Sequence, residues 1–319
     1  MSPPRALAVV GPTAAGKGAL ARTIATTLGR ALLVCDSVKV YRGLDIGTGK
    51  PDAGVRAGIE HHLLDLVDPD QGFSAGDYAD AAWPTFSRTR GIFVGGTGFY
   101  LRQLAWSSSE PDDGGVDAPR EHPERAAFEA RWHAAQADEP GAPWRALQQR
   151  DPDTAATIHP ANVVRVVRAL WLCHAHGRPV AAVRAAAPPT PRLSLMLVLL
   201  DPGPEALARR IERRLDAMLA AGFLDEVERL LASGYHGGHK AMQSLGYRQL
   251  LDVVAGRTDL ASARADILTA TRQLAKRQRT YFRHQFPGAI VHAIASPEAC
   301  PWHAIEEFLD AAPRRGVGP

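Results

Sequence analysis

The residues best equipped for chemistry stand near the N-terminus, in Gly11-Pro12-Thr13-Ala14-Ala15-Gly16-Lys17-Gly18. This Gly-x4-Gly-Lys pattern follows a short apolar run, Ala6 to Val10, and precedes a helical pattern, Ala19 to Leu28. Such a loop is a phosphate cradle: successive backbone N–H groups and a helix N-terminus point at the anion, and the lysine adds a mobile positive charge. A serine or threonine ordinarily follows the lysine and puts its hydroxyl on the magnesium of a nucleoside triphosphate. Gly18 takes that place here. Loop amides and Lys17 still bind a phosphate, while any metal is left to water or another side chain.

Two more polar clusters end apolar runs. Asp36, after Ala31 to Cys35, stands where a general base facing the phosphate would be expected; a capping role or a ligand to metal-bound water fits the spacing equally. In Gly95-Gly96-Thr97-Gly98, after Ile92 to Val94, glycines permit close backbone approach and Thr97 offers a hydroxyl, either to a ligand or as a plain helix cap. Further on, Arg272, Lys276, Arg279 and Arg283 share one helix face, and no Asp or Glu lies between Asp266 and Glu298. That stripe suits a nucleic-acid backbone, with a solvated face as the plain alternative, and Tyr281 and Phe282 add rings that could stack or pack. Arg165 and Arg168 lie one turn apart, and Arg209, Arg210, Arg213 and Arg214 cluster around Glu212, with one or two expected to reach the phosphate crevice.

Strands alternating with helices are needed to bring these segments together. The pattern predicts strands at 6–10, 31–35, 92–94 and 193–200, long helices at 204–233 and 259–285, and a last strand at 289–292 before a terminal helix. This is a parallel sheet covered by helices, of the P-loop NTPase-like α/β class. Ligands in such sheets sit beyond the carboxyl ends of the strands, where Lys17, Asp36 and Thr97 all fall. From the turn-rich Ser107 onward the composition changes to alanine- and arginine-rich helix. The expected division is a core of 1–110 and 191–312, a helical insertion of 111–190 and a tail of 313–319.

Composition limits the remaining classes. With 319 residues, 45% of them hydrophobic, the chain can bury a real core and is neither a peptide hormone nor a disordered tail. Three scattered cysteines support no disulfide framework, and the twelve histidines lack carboxylate or cysteine partners at ligand spacing. The longest apolar run, Leu195 to Leu200, is far below the roughly 18 to 20 residues of a bilayer span, and no signal-peptide pattern precedes it. A cytoplasmic protein without membrane partners is expected. The net charge of +3 decides little, but lysine occurs only five times, at 17, 39, 50, 240 and 276, so each is informative.

Beyond these separate signals, GPTAAGKG, DSVKVYRGLDIGTGKP, GIEHHLLDL, GIFVGGTGFYLRQL, HPANVVRVVRAL, AGFLDEVERLL, AMQSLGYRQL and TRQLAKRQRTYFRH occur in order along nearly the whole chain except 107–150. Together they resemble the blocks of the tRNA dimethylallyltransferases. The resemblance implies a prenyltransferase that moves a dimethylallyl group from dimethylallyl diphosphate to N6 of the adenosine at tRNA position 37, in a magnesium-dependent reaction. It implies that the loop 11–18 cradles the donor's diphosphate instead of ATP. It makes Asp36 the general base and places Thr97 and Arg214 at the donor or reacting centre. By the same matching the anticodon stem-loop is contacted by Asp36, Ser37, Val38, Lys39 and Thr97, by Val164, Arg165, Val166, Val167 and Arg168, and by Gln243, Ser244, Leu245, Gly246, Tyr247 and Arg248. Lys276, Arg277, Gln278, Arg279, Thr280, Tyr281, Phe282 and Arg283 complete that surface, with Arg125 as a further contact. A monomer is expected.

Two positions depart from the family pattern: Gly18 replaces threonine, and Lys39 stands where glutamine is common. A P-loop small-molecule kinase, with Asp36 serving a hydroxyl acceptor, and a tRNA-binding protein that has lost catalysis are the competing readings.

Overall fold

Short apolar runs become strands because both faces of this sheet are covered. The computed structural model describes residues 2–107, 123–186 and 189–310. The chain opens with β1 (Arg5–Val10), α1 (Lys17–Leu28), β2 (Leu32–Cys35), α2 (Ala53–Gly58), β3 (His61–His62), α3 (Ala75–Thr89), β4 (Ile92–Gly95) and α4 (Gly98–Ala105). After an inserted segment come β5 (Ser194–Leu200), α10 (Pro204–Ala220), α11 (Phe223–Ala232), α12 (Tyr247–Val254), α13 (Leu260–His284), β6 (Ile290–Ile294) and α14 (Trp302–Asp310), the insertion supplying α5 to α9. The six-stranded sheet has the order β3-β2-β4-β1-β5-β6, and each pairing is parallel.

Register sets the site. Val10 of β1 and Cys35 of β2 both pair with Gly95 of β4. The glycine loop, Asp36 and Gly96-Thr97 therefore leave the sheet side by side, from the carboxyl edge where parallel sheets bind ligands. Leu7, Val9, Leu33, Phe93 and Val198 in the strands are essentially inaccessible, and it is the hydrophobic burial of such residues that holds this edge in place.

The sheet and helices expected from sequence are present, and α2 and α12 add to them. The predicted helix 204–233 is two helices, broken at Ala221-Gly222, where Gly222 adopts φ +93°. A two-residue strand, β3, extends the sheet beside β2. Helix α3 also has a clear local cause that the motif reading passed over: Ser74 and Asp77 form a reciprocal capping box at its start.

The chain divides into two compact units, residues 1–105 with 191–319 and residues 106–190. The sequence expectation puts the first boundary at 110/111, which lies outside the described residues, as does the tail 313–319. The second unit contains α5 (Pro123–Asp138), α6 (Ala142–Arg150), α7 (Pro152–Thr157), α8 (Val163–His176) and α9 (Val180–Ala186). It has its own core, with Leu147, Ala155, Val166, Ala169, Leu170, Leu172, Cys173 and Val180 buried together. Buried Asp151 joins its short helices by accepting from the amides of Thr154 and Ala181.

Candidate active site

The glycine loop is shaped by its backbone and fastened from outside. Gly11 has φ +142°, and a Cβ there would stand 2.3 Å from the carbonyl oxygen of Leu200, so no other residue fits. Gly16, at φ +100°, precedes α1 without any side-chain cap, which leaves the first helix amides to a ligand. Two distant side chains hold the loop: Gln278 accepts from the Thr13 amide at 2.7 Å, and Arg210 Nη1 donates to Ala15 O at 2.8 Å. Gln278 also donates to Gly96 O at 2.9 Å, tying the loop to the β4 end. Lys17 Nζ donates to Pro12 O at 2.7 Å. Burial pushes the Lys17 ammonium down to about 7, Asp36 working against that shift and Arg214 and Lys39 adding to it.

Asp36 folds its own turn, its Oδ1 accepting from the amides of Val38 and Lys39 at 3.0 and 3.3 Å. The Thr97 hydroxyl accepts from the Ser37 amide at 3.0 Å and donates to Ser37 Oγ at 3.3 Å. Thr97 thus uses its side chain to bind the Asp36 turn rather than to cap α4. Opposite, Lys39 Nζ donates to Gly49 O and Arg214 Nη2 to Thr48 O. Burial lowers the pKa of both groups, and Asp36 opposes the shift in each case. A carboxylate is therefore set among Lys17, Lys39 and Arg214.

The segment 45–50 that receives these donors is itself clamped. Glu226, only 3% exposed, accepts from the amides of Asp45, Ile46 and Gly47 and from the Tyr247 hydroxyl at 2.6 Å. Burial, with Glu226 second, pushes the Tyr247 phenol far up, so it stays a proton donor. Gly47 is required because a Cβ would stand 2.1 Å from the Phe223 ring. Lys50 Nζ, its side chain 1% exposed, bonds Tyr41 O, Asp45 and Asp65. Sequence reading missed Glu226. Its signal is an acidic residue in the first turn of α11, inside the quoted AGFLDEVERLL block.

These groups line a cavity of about 730 Å³ in the first unit. Lys17, Asp36, Lys39, Thr97 and Arg214 are among its polar lining residues, and Val34, Val94, Ile211, Leu215, Met218 and Leu274 among its apolar ones. Such a cavity suits an anionic head joined to a small hydrocarbon group. It does not make a resident magnesium site. Among the described residues no group of three His, Cys, Asp or Glu is placed to hold a metal, Gly18 brings no hydroxyl, and Asp36 Oδ1 is already occupied by two amides. The expected magnesium fits only as a companion of a diphosphate.

The residues expected to touch tRNA separate by exposure. Gln243, Arg248, Lys276, Arg277, Thr280 and Arg283 are exposed, and Ser37, Val38, Lys39, Ser244, Leu245, Gln278, Arg279 and Tyr281 are half-buried. Val166, Val167, Arg168, Gly246, Tyr247 and Phe282 are buried. Within the fold the Tyr247 hydroxyl donates to Glu226, Phe282 stacks on Phe286, and Gly246 backs onto the Phe223 ring; Gly246 and Tyr247 also line the cavity. In the second unit Val164 and Arg165 are exposed, while Arg125 is held by Glu129 at 2.7 Å. The stripe on α13 also has an acid that sequence distance concealed. Asp201, at the end of β5, binds Arg279 at 2.8 Å and Arg283 at 3.0 Å.

Comparison with known proteins adds to this geometry. Residues 39–285 match the family model described as IPP transferase. A tRNA dimethylallyltransferase 1 of Pelobacter propionicus is 40% identical over 88% of this chain and 89% of its own. A tRNA dimethylallyltransferase of Roseiflexus sp. is 41% identical over 87% and 89%. Among solved structures, a full-length tRNA isopentenylpyrophosphate transferase of Bacillus halodurans superposes with a TM-score of 0.62 at 30% identity, covering 91% of this chain and 89% of that one. A eukaryotic dimethylallyltransferase captured acting on tRNA gives a TM-score of 0.80 over 98% of this chain and 81% of that one; at 22% identity it speaks for the fold.

Proposed function

This chain belongs to the IPP transferase family, and from that membership we propose that it transfers a dimethylallyl group from dimethylallyl diphosphate to N6 of the adenosine at tRNA position 37. The observation that carries the assignment of roles is Asp36 set among Lys17, Lys39 and Arg214, inside a cavity that the glycine loop and apolar side chains line together. The amides of Ala14, Gly16, Lys17 and Gly18 and the Lys17 ammonium hold the diphosphate, and the apolar lining residues receive the five-carbon group. Burial lowers the Lys17 ammonium to about 7 in the free protein, and an arriving diphosphate favours its charged form.

The target adenine leaves its stack to enter the cavity. The N6 lone pair forms a bond to the allylic carbon as that carbon's bond to the diphosphate oxygen breaks, and pyrophosphate departs with the electron pair. The N6 proton passes to Asp36, whose Oδ1 stays fixed by two amides while Oδ2 faces no protein donor among the described residues. Asp52, the other carboxylate on the cavity wall, already caps α2 through the Val55 amide. Negative charge developing on the leaving group is stabilised by the preorganised loop amides and Lys17. Magnesium is proposed to arrive with the diphosphate as part of that substrate, where it would neutralise phosphate charge. The proposed working form is a cytoplasmic monomer whose exposed Arg248, Lys276 and Arg277 meet tRNA phosphates.

Replacing Asp36 by Asn tests the assignment of the base. Transfer is expected to fall roughly 100- to 10,000-fold, with pyrophosphate and tRNA affinities retained. Transfer at the wild-type rate removes Asp36 as the base.

A further inference from the structure

Arg22 lies one helical turn beyond Gly18 on α1, and its half-buried side chain turns into the same cavity as Lys17. A Cβ built at position 18 would stand 3.6 Å from Arg22 Nη1. The guanidinium thus rests against the space that the missing hydroxyl side chain would occupy. Lys17, Lys39 and Arg214 each donate to a backbone carbonyl. Arg22 makes no hydrogen bond or ion pair among the described residues, although half-buried guanidinium groups ordinarily find an acceptor.

Its charge nevertheless reaches into the site. His61, on the same cavity wall, is held below its ordinary pKa by burial first, with Arg22, Arg56 and Lys39 acting in the same direction. An unmatched cation beside the glycine loop is arranged for an anion that comes with the ligand. A guanidinium is suited to that task, because its planar fork matches two phosphate oxygens.

Resting on the diphosphate reading of this loop, we propose that Arg22 is a diphosphate-binding residue, seated in the space left by Gly18, which supplies directly the positive charge that a hydroxyl-held metal ion supplies when Ser or Thr follows the loop lysine. The chain then binds a diphosphate with less help from a divalent cation than a loop ending in Lys-Thr. Gly18 and Arg22 form one unit: a threonine at 18 would make ordinary contact with the guanidinium through its Cβ, and its further atoms would compete for the same space.

Titration of the intact chain with inorganic pyrophosphate, by calorimetry, in EDTA and again in excess magnesium, tests this. Wild-type protein is expected to bind in both conditions. Arg22→Ala should bind about tenfold more weakly in EDTA and recover most of that loss in magnesium, with Arg22→Lys in between. The double variant Gly18→Thr with Arg22→Ala should bind well only with magnesium. Thermal melts confirm that each variant folds, and Arg22→Lys retains the test should the alanine variant not fold. Equal affinities of wild type and Arg22→Ala in EDTA, or wild-type binding only with magnesium, overturn the proposal. Absence of wild-type binding in both conditions removes the diphosphate reading of the loop itself, and Arg22 with it.

Discussion

Lys17 shows how a single buried charge couples binding to pH. Its ammonium is pushed down to about 7 in the free protein, chiefly by burial, against an ordinary value of 10.5. A bound diphosphate raises that value again, so the lysine's contribution to affinity is complete below pH 7 and fades as pH rises above it. Pyrophosphate also gains charge over that range, so the expected observation is a ratio: the affinity of wild type over Lys17→Met is largest at pH 6.5 and shrinks steadily toward pH 9. A ratio that stays constant or grows contradicts the assignment. The same shift acts on stability with the opposite ligand requirement. The unfolded chain binds the proton more tightly than the free folded protein between about 7 and 10.5, so the cost of burying Lys17 is complete below 7 and disappears as pH rises through that window. Lys17→Met is therefore expected to raise the melting temperature of the ligand-free protein at pH 6.5 more than at pH 9. At this scale much was legible: Lys17, Asp36 and Thr97 could be named from type and position, Arg214 only through the family resemblance, and the structure brings all four to one cavity. Glu226 was not legible, because a first-turn acid on an amphipathic helix looks like a dipole-compensating surface residue until its amide partners, about 180 positions away, are seen.

Helices α11 and α13 act as braces for loops rather than as walls alone. Three amides and a phenol converge on the buried Glu226 carboxylate. Glu226→Gln would turn an NH₂ group toward at least one amide donor, and a buried unsatisfied donor of that kind costs about 1 to 3 kcal/mol. A lower melting temperature is expected, together with weaker donor binding, because the 45–50 segment receives Lys39 and Arg214; a variant that melts like wild type contradicts the clamp. On α13, Arg279 and Arg283 share Asp201, whose side chain is 6% exposed. Their replacement disturbs the seat of Gln278 as well as any phosphate contact. Exposed Arg272 and Lys276 are the cleaner probes: each alanine variant should weaken tRNA binding and reduce the salt slope by about 1, and an unchanged slope returns the stripe to a solvated face. Helical spacing revealed the stripe, since a period is local. It could not reveal Asp201 at a strand end, nor that Val166, Val167 and Phe282 are buried, because a family block mixes exposed residues with the packing that holds them.

At the scale of the whole chain, the second unit is inserted at a place where the first unit's ends already meet. The amides of Arg192 and Leu193 both donate to Ala105 O, at 2.8 and 3.2 Å, so removal of residues 106–190 leaves a gap that a short linker closes. The shortened chain is expected to fold and to bind pyrophosphate within about twofold of wild type, since each residue lining the cavity belongs to the first unit. It should bind tRNA at least tenfold more weakly; unchanged tRNA binding would show that the insertion takes no part in recognition. The sheet itself could be anticipated because strand–helix alternation and strand-end glycines are visible in one dimension. The break at Gly222 was hidden inside a continuous helical pattern, as one glycine carries a positive φ that periodicity does not report. The central claim, that this crevice joins a diphosphate-borne dimethylallyl group to an adenine of tRNA, is tested most directly by nucleoside mass spectrometry of unmodified tRNA incubated with the protein, magnesium and dimethylallyl diphosphate, beside a control containing ATP alone. A prenylated adenosine that depends on the diphosphate and is lost with Asp36→Asn is the predicted result. Unmodified adenosine in every sample, with tRNA still bound, or ATP consumed in the control, would contradict the account.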